Sequence, residues 1–165
     1  MVVSSFRIKA PLAWLPAGLI SWYDADCNPM VLVTPWIALV GAPLPRLRTA
    51  WYGHYDSDTR FCPGSDFVLN MPHDRDLETI RSIVNQGKFC LHAEQELGYS
   101  CLSGGAAAAP RLLGCVVQIE CLAGQLLETN FDTELCGDVV SMYRDGVNLE
   151  LLEIPDLCAS RPLTS

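Results

Sequence analysis

Short apolar runs separated by turn-forming residues make up the first part of the chain. Residues 17–23 are apolar or aromatic, and residues 24–29 then supply the Asp, Asn and Pro that favour a turn. Residues 30–40 are too uniformly apolar to have one face in water, which predicts a strand inside a sheet or at a subunit contact. Pro35 cannot donate a ladder hydrogen bond, so it predicts an edge, a bulge or a ligand-facing break in the middle of this strand.

Residues 44–52 alternate more clearly between two faces. Two arginines on one strand face permit two interpretations in a chain with few cations: they face solvent, as charged strand residues usually do, or they contact an anion. One face carries Leu47, Thr49 and Trp51, and the other carries Arg46, Arg48, Ala50 and Tyr52.

A polar, turn-prone stretch follows this strand. Residues 53–60 and 62–66 are rich in Gly, Ser and Asp, and they lead to a short apolar strand at residues 67–70. Because loops positioned by a rigid scaffold often carry binding residues, this loop is a candidate site.

Helical spacing begins after Pro72. Apolar residues at positions 77, 80 and 83 recur at helical intervals, with acidic residues in the first turn and Gly87 at the end. This pattern predicts one helix of about three turns, a normal length. Residues 88–97 predict a second helix that ends at Gly98.

The remaining pattern is strand-rich. Residues 103–110, with two glycines, four alanines and a proline, predict a mobile loop, and residues 111–123 predict a buried strand. Residues 126–129, 136–143 and 149–154 predict three more strands. About seven strands with one or two helices, at regular spacing, indicate a mainly β fold: a small β-barrel with a few helices, in a single domain over residues 1–165.

The net charge excludes two classes of partner. With 11 Lys and Arg against 19 Asp and Glu, the formal charge is −8, which repels nucleic-acid phosphates and anionic lipid. The uncharged run at residues 29–45 is shorter than the ~20 residues that a spanning helix needs, and prolines break it. We therefore expect no nucleic acid and no membrane as partners.

The cysteines predict reduced thiols in a cytoplasmic protein. A domain of this length buries enough core to need no disulfide framework, and the cysteines lie among apolar neighbours. No Cys-x-x-Cys occurs and the three histidines share no ligand spacing with the cysteines, so no metal site is expected. The eight are Cys27, Cys62, Cys90, Cys101, Cys115, Cys121, Cys136 and Cys158.

Familiar catalytic motifs are missing from the sequence. It has no Gly-x-Ser-x-Gly, no His-Glu-x-x-His, no P-loop lysine motif and no Gly-x-Gly-x-x-Gly turn. A Cys nucleophile with a distant His partner stays open, because such pairs form in space. No dedicated catalytic residue is predicted.

Several short motifs follow one another along the chain between residues 16 and 147. They are Asn28-Pro29-Met30, Val33-Thr34-Pro35-Trp36, the strand 46–52, Ser65-Asp66-Phe67-Val68-Leu69-Asn70-Met71-Pro72, Ala109-Pro110-Arg111-Leu112-Leu113-Gly114-Cys115, Gln118-Ile119-Glu120-Cys121 and Gly137-Asp138-Val139-Val140. In this order they resemble the flavin reductase-like family, particularly its flavoredoxin branch. The resemblance implies an FMN-binding split barrel of Greek-key type, a homodimer with flavin near the subunit contact, and hydride transfer from NADH or NADPH through flavin to an acceptor.

The resemblance also implies a set of cofactor residues. FMN needs an apolar slot for its ring, donors for the ring atoms, and hydroxyl or cationic donors for its phosphate. In the family the strand corresponding to residues 30–36 lines the ring, largely through backbone groups, and a loop corresponding to residues 53–59 supplies phosphate hydroxyls. The implied residues are Met30, Val33, Thr34, Pro35, Trp36, Ser57 and Thr59, with Arg48, His54 or Lys88 as the cation.

Structural roles stay open for several of these residues. The alternatives are a core or dimer-interface aromatic for Trp36, a strand former for Thr34, turn capping for Ser57 and Thr59, a helix C-terminal charge for Lys88 and a helix cap for Asn70.

Two departures from the family pattern keep the function open. Many relatives have consecutive Ser/Thr residues facing the flavin where this chain has Thr34-Pro35, and a histidine of many relatives is not seen in residues 129–134. Three functions therefore stay open. They are an FMN-dependent oxidoreductase, a flavoredoxin-type FMN electron carrier without its own turnover, and a degenerate split barrel that binds no flavin.

Overall fold

Antiparallel strands dominate the computed structural model, which describes residues 4–7, 18–34, 36–40, 45–52, 61–86, 90–103, 105–128 and 132–149. A 3₁₀ turn (Asp74–Asp76) leads into the helix α1 (Leu77–Asn85). The strands are β1 (Ser4–Arg7), β2 (Gly18–Tyr23), β3 (Pro29–Thr34), β4 (Trp36–Val40), β5 (Arg46–Tyr52), β6 (Phe67–Met71), β7 (Cys90–His92), β8 (Cys101–Leu102), β9 (Arg111–Leu112), β10 (Val117–Glu128), β11 (Asp132–Arg144) and β12 (Val147–Leu149).

One large sheet contains most of these strands. Its order is β1-β4-β5-β11-β10-β6-β2-β3-β7, with β12 paired to β11, and β8 and β9 form a separate two-stranded ladder. Every pairing is antiparallel. The predicted mainly β fold is confirmed, although the described residues form more strands than the pattern indicated, and β11 is longer than the strand predicted at residues 136–143.

A single apolar cluster shows that the sheet is curved, with one of its faces on the inside. Seven strands contribute buried side chains to it, from β4 on one side to β3 on the other. A flat sheet could not bring these strands around one core, so the cluster is the interior of a barrel. Its strand members include Ile20, Met30, Leu32, Ile37, Leu39, Leu47, Phe67, Leu69, Ile119, Cys121, Leu135 and Val139.

A second cluster covers the outer face of β2 and β3. Leu19, Val31 and Val33 pack there with Ile80 of α1 and Leu91 of β7. Successive residues of β3 therefore enter different cores, since Met30 and Leu32 belong to the interior cluster. This confirms that the uniformly apolar run has neither face in water.

The strand predicted at residues 30–40 is two elements, which confirms a break in its middle. β3 ends at Thr34 and pairs with β2 and β7, whereas β4 begins at Trp36 and pairs with β1 and β5. Because a proline cannot donate to a ladder, the change of partners falls at the position with no donor to lose.

The prediction of a second helix over residues 88–97 is wrong. Residues 90–92 form β7, which pairs with β3, and a short turn follows in which Gly98 N–H donates to the Glu94 carbonyl. β7 gives β3 its second ladder partner, so a long-range pairing outweighs the local helical preference of this segment. The predicted helix after Pro72 is confirmed by the 3₁₀ turn and α1.

The C-terminal strands are also divided differently. The strand predicted over residues 111–123 is two elements, β9 and β10, separated by a turn in which Gly114 has φ 93°. β10 continues to Glu128 through two irregularities in its pairing with β11, so it absorbs the strand predicted at residues 126–129. The strand predicted at residues 149–154 lies almost entirely outside the described residues.

All seven cysteines in the described ranges carry free thiols. Cys115 and Cys121 are buried, but Cys27 and Cys62 are exposed, so the prediction that the cysteines are core thiols holds only for some of them. Within the same ranges, no cluster of three or more His, Cys, Asp or Glu side chains could bind a metal ion. None of the helices there is long and apolar enough to cross a bilayer.

Candidate functional site

The junction between β3 and β4 lies against β5. Thr34 is fully buried, and its hydroxyl donates to the Ala50 carbonyl at 2.9 Å. It also lies 2.5 Å from the equally buried Thr49 hydroxyl. Both hydroxyls are therefore engaged between β3 and β5, beneath the junction.

Met30 and Val33 also direct their side chains into cores. Met30 is buried in the interior cluster, and Val33 is buried in the cluster under α1. Contacts from β3 to a ligand at the junction are therefore restricted to backbone groups. Trp36 starts β4 at a register position between Arg7 and Ala50. The other implied cofactor residues, Pro35, His54, Ser57, Thr59 and Lys88, lie outside the described residues.

Both arginines of β5 face outward and form ion pairs with β11. Arg46 Nε contacts Asp138 Oδ1 at 3.0 Å, and Arg48 Nε contacts Glu134 Oε1 at 2.5 Å. The hydrogen bond that Arg48 donates to Glu134 raises the pKa of Arg48 above its usual value. Leu47 and Thr49, on the opposite face, are fully buried, which confirms the alternation predicted for this strand.

An open groove lies beside these ion pairs on the outer face of β5, β11 and β10. Its volume is about 430 Å³. Its walls are partly charged and partly apolar, with a thiol between the two types of surface. The lining residues are Arg46, Arg48, Gln125, Leu126, Leu127, Glu134 and Cys136.

The turn at the end of the predicted binding loop is fixed to the bulge of β10. Phe61 is buried and contacts Trp22 and Phe67 edge-on, with ring centroids 5.6 and 6.5 Å apart. Gly124 N–H donates to the Ser65 carbonyl at 2.8 Å, and the Gly124 carbonyl accepts from Gly64 N–H at 2.7 Å. One end of the loop therefore has a rigid attachment.

The chain resembles several known proteins in structure. No protein-family model and no curated protein matches the chain. Flavoredoxin from Desulfovibrio vulgaris (Miyazaki F) superposes with a TM-score of 0.63 at 17% identity, covering 84% of this chain and 75% of that chain. The 2-nitrobenzoate 2-nitroreductase of Pseudomonas fluorescens gives 0.62 at 19% identity, with 83% and 68% covered. The FMN-binding protein of Thermus thermophilus gives 0.62 at 11%, with 85% and 75% covered.

The chain shares the split-barrel fold of these structures. These neighbours are named as a nitroreductase, a flavoredoxin and an FMN-binding protein, so one backbone arrangement accommodates several functions. At these identities the likeness concerns the fold, and the function must be argued from the residues of this chain.

The described part of the split-barrel junction fits a flavin through its backbone. The Thr34 side chain is engaged with β5 beneath the junction, Val33 packs on the opposite face under α1, and Met30 lies in the barrel interior four residues earlier. The ladder partners change between Thr34 and Trp36. β3 pairs with β2 along its whole length and with β7 at Met30, Val31 and Leu32. Among the described residues of β3 near the junction, Val33 and Thr34 are therefore the ones whose backbone groups a ring could contact. The hydroxyl and cationic donors expected for the phosphate belong to residues 53–59 and Lys88, together with Arg48.

Two carboxylates of this split barrel hold a segment that the sequence predicted to be a mobile loop. We call residues 105–110 the alanine segment. Glu120, which is fully buried, accepts the Ala106 N–H at 3.0 Å, and Asp66 accepts the Ala108 N–H at 2.8 Å. The alternate residues Ala107 and Ala109 are buried against Val68 and Leu122. The segment is irregular, as predicted, but its backbone and side chains are attached to the sheet.

Three buried polar side chains continue this attachment beyond the alanine segment. Ser21 Oγ donates to the Pro110 carbonyl at 2.5 Å, and Gln118 Nε2 donates to the Leu112 carbonyl at the same distance. Asn70 Oδ1 accepts the Leu112 N–H at 2.9 Å. We call Ser21, Asp66, Asn70, Gln118 and Glu120 the polar network. Sequence reasoning missed it, although four of its members lie in the motifs that carry the family resemblance.

The role expected for Asn70 as a helix cap is therefore wrong. Its amide donates to the Leu19 carbonyl, the Ser21 hydroxyl and the Val68 carbonyl, and it is fully buried. The cap at the start of the 3₁₀ turn is His73, whose Nδ1 accepts the Arg75 N–H at 3.3 Å. A buried polar residue in a strand is thus used to join the sheet to the segment that covers it.

Proposed function

We propose that this protein is an FMN-binding oxidoreductase. The observation that carries the proposal is the shared fold: solved structures named as flavoredoxin, FMN-binding protein and NADH:FAD oxidoreductase all align over more than four fifths of this chain. The ordered motifs found in the sequence support it independently, because they fall on β3, β5, β6, β10 and β11 of that fold.

The proposed flavin site lies at the β3–β4 junction and the loop after β5. Backbone groups of Met30, Val33, Thr34 and Pro35, together with Trp36, would hold the ring. Ser57 and Thr59 would bind the phosphate, with His54, Lys88 or Arg48 supplying the cation. The buried hydroxyls of Thr34 and Thr49 keep β3 and β5 together beneath this site.

Bound FMN would supply the redox chemistry, accepting hydride from NADH or NADPH and passing electrons to an acceptor. The chain needs to position the cofactor, and no acid–base residue is required of it. A flavoredoxin-type electron carrier is the second candidate, favoured by the sequence around residues 129–134, which has no histidine. The third candidate is a split barrel that binds no flavin, favoured by Thr34-Pro35.

A homodimer in the cytoplasm belongs to the same proposal. The family resemblance supports the dimer, and the seven free thiols of the described residues are compatible with a reducing compartment.

The test is visible absorbance of the purified protein, followed by titration of FMN and by NADH and NADPH oxidation. A yellow protein that consumes either nicotinamide with FMN supports the oxidoreductase. Flavin binding without steady-state turnover supports the electron carrier. A colourless protein whose melting temperature does not change in excess FMN contradicts both, since a ligand that binds only the native state must stabilise it.

A further inference from the structure

The groove on the outer face of β5, β11 and β10 has hydrogen-bonding capacity that its ion pairs do not use. Arg46 and Arg48 each contact a carboxylate through Nε alone. Within the described part of the chain their terminal Nη groups make no further hydrogen bond. The side chains are 45% and 42% exposed, so these donors are accessible to a ligand. A guanidinium that presents its terminal N–H pair matches the two oxygens of a carboxylate.

The spacing of the two arginines favours a shared ligand. Residues two apart on a strand lie about 7 Å apart on the same face. The thiol of Cys136 lies directly across the ladder from Arg48, and Gln125 is its partner on the other side. Burial raises the pKa of Cys136 above its ordinary value, so the thiol stays neutral and does not compete with an anion.

The other wall of the groove is apolar. Leu127 is 60% exposed, and Leu126 packs partly against the interior cluster. A ligand held by the arginines would therefore place a hydrocarbon or aromatic body mainly on Leu127. The volume of about 430 Å³ lies in the range of small-molecule sites.

The local charge selects among anions. Glu134 and Asp138 neutralise the two arginines, so the groove has guanidinium donors but no net positive charge. For a dianion such as a phosphate monoester, the doubled attraction to the arginines is offset by the doubled repulsion from the carboxylates, whereas its larger desolvation cost is not offset. The groove therefore favours a carboxylate over a phosphate.

We propose that this groove binds a small organic monocarboxylate with an apolar body, at a site separate from the flavin. If Arg48 binds this ligand, it does not bind the FMN phosphate. His54 and Lys88 then remain as the candidate cations for that phosphate. The inference does not depend on the proposed function, because it uses only the described residues of the groove.

Benzoate is a suitable probe, with benzamide as the neutral comparison and phenyl phosphate as the dianionic one. Affinities are measured by NMR titration of the full chain, with and without saturating FMN. We expect benzoate to bind, benzamide to bind much more weakly, and Arg46→Gln and Arg48→Gln each to weaken benzoate by about tenfold or more. Arg75→Gln, a matched change at a side chain that is 72% exposed on the 3₁₀ turn, should leave the affinity unchanged.

A further variant separates ligand binding from structural damage. Glu134→Gln removes one of the repelling charges, so it should tighten benzoate and allow phenyl phosphate to bind; a merely structural role predicts neither gain. The inference would be overturned if benzamide bound as tightly as benzoate. It would also be overturned if neither Arg46→Gln nor Arg48→Gln changed the affinity for benzoate. Displacement of benzoate by FMN, with loss of FMN binding in Arg48→Gln, would also overturn it by assigning the groove to the flavin. Benzoate binding in a protein that does not bind FMN contradicts the proposed function alone.

Discussion

At the scale of single residues, Asn70 joins more elements than any other side chain of the polar network. Its amide bonds reach β2 and its own strand, and its carbonyl oxygen holds β9 through Leu112. All of these bonds are buried, where an unpaired polar group is costly. The side chain therefore fixes the relation between the barrel and the segment that covers its outer face.

Replacement of Asn70 by alanine should lower the free energy of unfolding by about 2–3 kcal/mol, because it leaves the buried Leu112 N–H without its acceptor and removes three donor contacts. The measurement is urea denaturation. Gln95→Ala, a truncation of an exposed side chain, should change stability by less than about 0.5 kcal/mol. A similar small effect at Asn70 would show that the network contributes little to stability.

At the scale of elements, the alanine segment depends on a glycine. A Cβ added to Gly105 would lie 1.7 Å from Glu120 Oε1, a distance that no rearrangement of the methyl group can relieve. The carboxylate cannot easily move, because its other oxygen accepts the Ala106 N–H and the residue is fully buried. Position 105 therefore requires a glycine as long as Glu120 occupies its observed position.

We expect Gly105→Ala to destabilise the protein by about 2 kcal/mol, the cost of overpacking a filled site. If the clash with Glu120 is the cause, Glu120→Ala combined with Gly105→Ala should be little worse than Glu120→Ala alone, and a double-mutant cycle measures this coupling. Strict additivity of the two changes would contradict the pairing. Gly114→Ala provides a glycine change without a clash: its loss of stability reports only the strain of a positive φ of 93°, and it should not be coupled to Glu120→Ala.

The elements that the sequence predicted correctly depend on local pattern. The break at Pro35, the two faces of β5 and the helix after Pro72 each follow from the chemistry of a few consecutive residues. The second helix failed because β7 exists only as a partner of β3, about sixty residues earlier in the chain. The polar network was missed for the same reason: Ser21 and Pro110 are 89 positions apart. In the candidate site, the residue types could be predicted, but the face on which each of Met30, Val33 and Thr34 is buried depends on which strands and helix pack there.

At the scale of the whole molecule, burial of thiols links the core to pH. Burial raises the pKa of Cys115 from an ordinary 9.0 to about 12 and raises that of Cys121 well above 9.0. Burial also raises the pKa of Tyr99, whose hydroxyl donates to Asp76 Oδ2 at 3.1 Å. Two of these groups belong to different cores, since Cys121 packs in the barrel interior and Cys115 under α1.

The free energy of unfolding should fall as pH rises, because the unfolded chain loses its thiol protons at a lower pH than the folded chain does. Below about pH 9 the two thiols are protonated in both states, and their contribution to stability is complete. Above that pH the unfolded chain loses thiol protons that the folded chain keeps, so the unfolded state is favoured. We expect the free energy of unfolding to fall as pH rises from about 9 toward 12, by about 1.4 kcal/mol per pH unit for each such thiol.

Urea denaturation at a series of pH values between about 8 and 10.5 measures this slope. Cys115→Ala with Cys121→Ala should lower stability at every pH because it leaves cavities, yet it should flatten the alkaline slope, because neither position then binds a proton. Cys27→Ser changes an exposed thiol and should leave the slope as it is. A double variant that keeps the full alkaline slope would show that the buried thiols are not the groups responsible, and would direct attention to Tyr99. Since a cavity shifts the whole curve and a lost proton changes its slope, the two effects of the same substitution are separable in one experiment.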